Sequence, residues 1–410
     1  MKNPFVDKEF VENWLKSFAN TKKPQYFESI GPLGFIKSRV PSTFINIGKN
    51  ITNGLQYSLS ANNDFKGKVF LIYDVTSYEK DSGNEKVADI GVKKIKQYKG
   101  YLSRLTHFID HEDFLTKHNS SSTRMKLRKN ERKLNTNFDV EYEVIFGFID
   151  RVRYDKIMDR VFTLIESRFK SLKLDNDILH KKEYYRQLFY DMIIEKKAVI
   201  HMICYNEEAI AVSLSFLSEN ELFYAINTFD TRFRRYNLGH ISILNMIKWC
   251  FENNIKILDY SKGTYDYKSR WANESYFFEN HIVYDKRSFW CCTIAMLMEH
   301  YFRFKQFLRD KNLNEFYVRA KFFLSFKQEG NINNYIPDDE IMELEENEIE
   351  LGQYQEMSQV ELFQSPIAGK VYDLLYSKPQ DLSKITVMKK KEEEEFLIMG
   401  NGINKKIVRL

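Results

Sequence analysis

Residues Asp230 to His240 read DTRFRRYNLGH. The stretch before them, Glu221–Phe229, predicts a strand, and Leu238–Glu252 after them carries Ile241, Leu244, Ile247 and Trp249 near helical spacing. A strand-to-helix turn gathers unpaired backbone N–H groups and the positive end of a helix dipole in one place, which suits a phosphate. Arg232, Arg234 and Arg235 add charge, Gly239 permits close backbone approach, and Asn237 tolerates positive φ. The competing reading is a charged surface turn ahead of an ordinary helix.

Working outward, residues 139–146 (DVEYEVIF) alternate as a strand. Apolar residues from Tyr154 to Phe169, and again from Tyr185 to Ile193, recur at helical spacing. Residues 198–205 and 209–217 form a hairpin around Asn206, Glu207 and Glu208. After the helix come a strand at 255–260, a short helix at 265–272 and a last strand at 277–284. The order is β-α-α-β-β-β-α-β-α-β, a mixed α/β pattern.

The flanks are less regular. Val11, Leu15 and Phe18 predict an opening helix, and residues 68–75 a buried strand. Ile90, Val92, Ile95, Tyr98 and Leu102 predict a helix over 90–105. Residues 122–134 predict a basic helix whose only acid is Glu131. Helices are expected at 290–307 and 315–326, and a small helix-plus-hairpin module after Gln364, turning at Gly400-Asn401-Gly402.

Hydrophobic residues make up 43% of the 410, which excludes wholesale disorder, and 410 residues suggest two to three domains. The net charge of +5 is too small to identify a nucleic-acid binder. It conceals a local extreme, because residues 338–350 hold eight acids and no Lys or Arg. The four cysteines form no C-x-x-C pair and no zinc spacing, so reduced thiols and no metal are expected. Residues 1–13 lack an apolar leader, and residues 289–298 are about half the ~20 residues that span a bilayer. The segment therefore reads as a core helix and the expected location is cytoplasmic. No stretch combines a basic face with a strong apolar one, which leaves a lipid-facing role least supported.

Arg234-Arg235-Tyr236-Asn237-Leu238-Gly239, in this strand-turn-helix setting, resembles the R/Q-x-x-G-x-G/A turn of the GNAT superfamily of acyl-CoA-dependent acyltransferases. Asn237 replaces the first glycine. The resemblance implies coenzyme contacts at Thr228, Arg234, Arg235, Asn237, Leu238, Gly239 and His240. A second segment, Leu258-Asp259-Tyr260-Ser261-Lys262-Gly263 with Tyr267-Lys268-Ser269-Arg270-Trp271, resembles the CelD-type acetyltransferases, relatives of the Fem peptidoglycan transferases. Such proteins pair two GNAT-like halves, each a mostly antiparallel sheet flanked by helices. The resemblance thus implies a degenerate half at 1–136, an acyl-CoA-binding half at 137–330, and an acidic linker with a small module at 331–410.

Asp259 falls near the C-terminal end of a short strand, where open α/β sheets place ligands, and could act as general base. Lys268 could stabilise an oxyanion, and Tyr267 or Tyr265 could protonate a leaving thiolate. Tyr265, Arg270 and Trp271 are the candidate acceptor contacts. The plainer readings are a structural cap for Asp259, a surface charge for Lys268 and a core aromatic for Trp271. The expected reaction moves an acetyl or short acyl group from acetyl-CoA or another acyl-CoA to an amine or hydroxyl of a sugar, sugar nucleotide or related metabolite. Two alternatives stand beside it: a Fem-like aminoacyl-tRNA-dependent transferase, with residues 124–133 facing the tRNA, and a non-catalytic module docking a protein through the acidic tail.

Overall fold

In a computed structural model the structure describes residues 3–19, 23–78, 87–171, 176–263, 265–311, 340–343, 351–390, 395–400 and 402–408. The helix expected at 315–326 and most of the acidic stretch lie outside them.

An 11-stranded sheet is the backbone of the molecule. Its strands are β1 (Gln25–Tyr26), β2 (Gly34–Lys37), β3 (Thr43–Asn46), β4 (Val69–Thr76), β5 (Ile90–Arg104) and β6 (Val140–Phe146). They continue as β7 (Ala198–Tyr205), β8 (Glu208–Leu217), β9 (Glu221–Phe229), β10 (Ile257–Lys262) and β11 (Glu274–Asp285). The spatial order is β1-β2-β3-β4-β11-β5-β10-β9-β8-β7-β6. Only β3–β4 and β9–β10 are parallel; the other neighbours are antiparallel. The mixed, mostly antiparallel α/β class is therefore as expected. The last strand, β11, does not close the second half of the chain. It inserts between β4 and β5 of the first, and β5 in turn meets β10.

One expectation fails here: of the helix expected over 90–105, residues 90–104 form strand β5. Gly91 and Gly100 supply the reason. A Cβ at Gly91 would fall 2.3 Å from the Tyr284 ring, and one at Gly100 2.4 Å from the Tyr276 ring, both rings belonging to β11. These glycines are seats for cross-strand aromatics, and each would weaken a helix by roughly 1 kcal/mol. A register shift between Phe277 and Glu279 of β11 also breaks the two-residue alternation that identifies a strand.

Helices cover both faces. α1 (Lys8–Phe18), α4 (Arg151–Ser171) and α5 (Lys182–Ile194) close one core, in which Phe189 stacks on Phe216 at 4.6 Å. α2 (His111–His118), α3 (Ser121–Asn137) and α6 (Leu238–Glu252) cover the other side of the second half. α3 starts as the sequence predicts, with the Ser120 hydroxyl accepting the Thr123 N–H. α7 (Asp266–Trp271) links β10 to β11, and α8 (Phe289–Asp310) lies across β11, β5 and β4.

The terminal module carries α9 (Gln359–Gln364) and α10 (Ala368–Ser377). Its five-stranded sheet joins β12 (Glu340–Glu343), β13 (Tyr354–Glu356), β14 (Thr386–Lys390), β15 (Glu395–Gly400) and β16 (Ile403–Val408) in the order β12-β16-β15-β14-β13. Val371, Tyr372 and Leu375 of α10 are buried in one cluster with Phe138, Phe233, Tyr236 and Leu238. At about 1.5–3 kcal/mol for each large apolar side chain, this burial fixes the module to the 231–236 turn.

Candidate functional site

β9 and β10 run parallel for only three residue pairs, from Glu221–Ile257 to Phe223–Asp259. Beyond Phe223 they part, so residues 224–229 have no β10 residue opposite them. The cause lies in β10. Its pairing with β5 slips between Asp259 and Lys262, and Ser261 takes φ +63°. Asp259 holds that irregularity: one carboxylate oxygen accepts the Ser261 N–H at 2.6 Å and the other the Tyr276 hydroxyl at 2.6 Å.

Asp259 is fully buried. Burial, offset in part by these two donors and by Lys268, pushes its carboxyl up to about 7. With both oxygens occupied and no exposure, Asp259 is placed to shape the opening rather than to reach a substrate. Lys268 is also buried, and burial brings its ammonium down to about 8. It donates to the carbonyls of Lys262 at 2.6 Å and Ser261 at 3.4 Å, tying α7 to the end of β10.

The start of α6 faces the opening. Asn237 takes the left-handed conformation, φ +57° and ψ +46°, and its side chain makes no cap. Asn thus performs at this turn the role anticipated for it. A Cβ on Gly239 would lie 3.2 Å from the Phe229 ring and 4.0 Å from Asn227 Nδ2, so helix and strand end touch here. His240 follows, and its Nδ1 accepts the indole N–H of buried Trp271 at 3.0 Å. Burial, then the charges of Arg270 and Lys126, hold the His240 imidazole below its ordinary range. A neutral ring with Nδ1 accepting carries its proton on Nε2, so His240 presents a donor.

Tyr267 is half-buried, and burial pushes its phenol up to about 12. Tyr265, 65% exposed, stacks on it at 6.1 Å. Arg270 is exposed, with its carbonyl bonded to His118 Nε2. Thr228 alternates to the sheet face away from Gly239, where its hydroxyl is buried with no partner among the described residues.

Arg234 and Arg235 point elsewhere. Arg234 pairs with Asp373 of α10 at 3.2 Å. Arg235 donates to the Asp373 carbonyl at 2.8 Å and the Ser377 hydroxyl at 2.9 Å, and lies 4.6 Å from the centre of the Tyr376 ring. Arg232 is bound to Asp230, which also holds Arg160 at 3.1 Å, and donates to the Phe363 carbonyl. The structure thus joins Asn237, Leu238, Gly239, His240 and Trp271 at one rim, and Asp259 and Lys268 at the other. The arginines of the turn serve the terminal module.

Other residues reach the opening without a sequence signal. Arg168 of α4 lies 5.0 Å from the centre of the Phe229 ring. Its charge also acts on Tyr267 and Tyr224. From the first half, Asn53 Nδ2 reaches the Tyr224 carbonyl at 3.5 Å. Lys262 pairs with Asp74 at 3.0 Å and contacts the carbonyls of Asn50 and Thr52 at 3.4 Å. Lys262 stood inside the quoted segment; Arg168 and Asn53 occupy ordinary polar positions far away in the chain.

Residues 121–269 match the family model described as an acetyltransferase (GNAT) domain. That segment contains the opening, α6 and most of α7, so the chain carries a GNAT-type acetyltransferase domain. No protein of curated function matches the sequence. Among solved structures, FemX is similar at 11% identity and TM-score 0.49, over 72% of this chain and 94% of that one. L-PGS from Bacillus licheniformis is similar at 11% identity and TM-score 0.41, over 72% and 97%. A tandem GNAT protein from the clavulanic acid biosynthesis pathway is similar at 9% identity and TM-score 0.33, over 67% and 95%.

Proposed function

We propose that the protein transfers an acyl group from acyl-CoA to an amine or hydroxyl acceptor, such as a sugar or sugar nucleotide, in the half spanning 137–330. The carrying observation is the parting of β9 from β10 beside the uncapped start of α6. The donor's pyrophosphate would rest on the N–H groups at Leu238 and Gly239, with the helix dipole and the Nε2–H of His240 assisting. Arg168, over the Phe229 ring, adds positive charge at that end of β9 in this reading.

The acyl carbonyl would lie along the edge of residues 225–229, which β10 leaves unpaired. The acceptor's nitrogen or oxygen attacks the thioester carbon, the carbon–sulfur bond breaks, and the acceptor's proton leaves to solvent. In this reading Tyr267, protonated at neutral pH, would give its proton to the departing sulfur and regain one from solvent. Asp259 and Lys268 act by holding β10 and α7 in place. Thiol release from acetyl-CoA across a panel of amino sugars, nucleotide sugars and amino acids tests the reading. No release with any acceptor, together with no donor binding, would reject it.

A second reading keeps the fold and changes the donor to aminoacyl-tRNA. Its support is α3, inside the matched segment, where Lys126, Arg128, Lys129 and Arg132 are exposed. Binding of tRNA with a steep salt dependence, and none of acetyl-CoA, would favour it.

A further inference from the structure

α8 is apolar on two opposite sides. Cys291, Ile294, Ala295 and Phe302 enter the core against β4, β5 and β11. Away from the sheet, Phe289, Trp290, Leu297, Tyr301, Phe304 and Phe307 are exposed by 87, 54, 62, 60, 61 and 54%. Read from sequence as a plain core helix, the segment instead leaves most of its large side chains uncovered. Single exposed apolar residues are ordinary; six on one helix of about 33 Å make a contiguous patch that marks a docking surface.

We propose that this face of α8 docks on an anionic lipid surface. Exposed cations border it: Lys286 before the helix and Lys305 and Lys311 along it, with Arg287 paired to Asp89 at 2.7 Å and Arg303 to Glu299. Of the nearby acids, Glu299 is neutralised by Lys93 and by Arg303 at 2.8 Å. A recess of about 130 Å³ opens beside the helix, lined by Lys49, Lys305 and Arg309 against the single acid Asp74. Phe, Trp and Tyr with flanking Lys and Arg suit the boundary between headgroups and acyl chains. The charge decides between occupants. A second copy of this chain would set the same cations against one another, whereas anionic headgroups neutralise them. No helix among the described residues is long and apolar enough to cross a membrane, so the contact is peripheral. The inference does not rest on the acyltransferase reading.

The test is sedimentation of the full chain with vesicles of phosphatidylglycerol and phosphatidylcholine, compared with phosphatidylcholine alone. Binding is expected on the anionic vesicles, at least tenfold weaker on neutral ones and at 0.5 M salt. A Leu297→Ser, Phe304→Ser double variant should bind at least tenfold more weakly with an unchanged melting temperature, both positions being exposed. Trp290 emission should shift to shorter wavelength on binding. Equal sedimentation of wild type and double variant, or no binding to anionic vesicles, overturns the proposal. So does a self-associating wild type that the double variant renders monomeric, which would assign the face to a second copy.

Discussion

Replacing Asp259 by Asn should remove a pH dependence of stability that the wild type owes to one buried carboxyl. Burial raises that group from 3.8 to about 7 in the fold. Between these values the folded chain holds a proton that the unfolded chain has lost, so stability falls as pH rises through the window. One unit is worth ~1.4 kcal/mol, and from pH 5 to pH 7.5 the loss from this group comes to about 2–3 kcal/mol. In Asp259→Asn the amide oxygen still accepts the Ser261 N–H, so the bulge survives while the titration disappears. Urea unfolding followed by tryptophan fluorescence at pH 5 and 7.5 checks this. The wild type should lose about 2–3 kcal/mol more than the variant between the two conditions. Identical losses would refute the account of Asp259 as an enclosed, proton-holding anchor. Asp259→Ala should be worse at every pH, since it strands the Ser261 N–H and the Tyr276 hydroxyl, at roughly 1–3 kcal/mol each.

Arg234→Ala with Arg235→Ala should speed amide exchange across residues 368–377 while changing acetyl-CoA affinity less than threefold, because both side chains bond α10. Gly100→Ala should cost about 1–3 kcal/mol in urea unfolding, since its Cβ would strike the Tyr276 ring that supports Asp259. Asn237→Ala should cost about 1–2 kcal/mol and Asn237→Gly should recover most of it, because the position has φ +57°. Lys268 is brought down to about 8 by burial, so its ionised form opposes folding. Its contribution to stability should rise with pH from about 8 to 10.5, a trend that Lys268→Met should abolish in the same unfolding measurement.

The second half was legible because its helices are amphipathic and its hairpin and strands are bounded by turn residues, so 138–285 reads in the right order. β5 was not, because its alternation is broken by a register shift and by two glycines whose purpose lies in Tyr276 and Tyr284, nearly two hundred residues away. The insertion of β11 between β4 and β5 is a long-range pairing that no local pattern announces. Residue types at the opening were legible; their partners were not. Arg234 and Arg235 look like phosphate ligands until α10 supplies Asp373 and Ser377, 139 and 142 residues later. Asp259 looks like a base until its enclosure is seen. α8 shows the same limit in reverse, since a hydrophobic count cannot say which of two apolar faces the sheet will take.

Calorimetric titration of the full chain with acetyl-CoA tests the central claim most directly, paired with Gly239→Val. Valine at that position would drive its methyls into the Phe229 ring where α6 meets the end of β9. The account predicts saturable binding by the wild type and its loss in a variant that still unfolds cooperatively. Absence of wild-type binding, or full retention of binding in Gly239→Val, would contradict it.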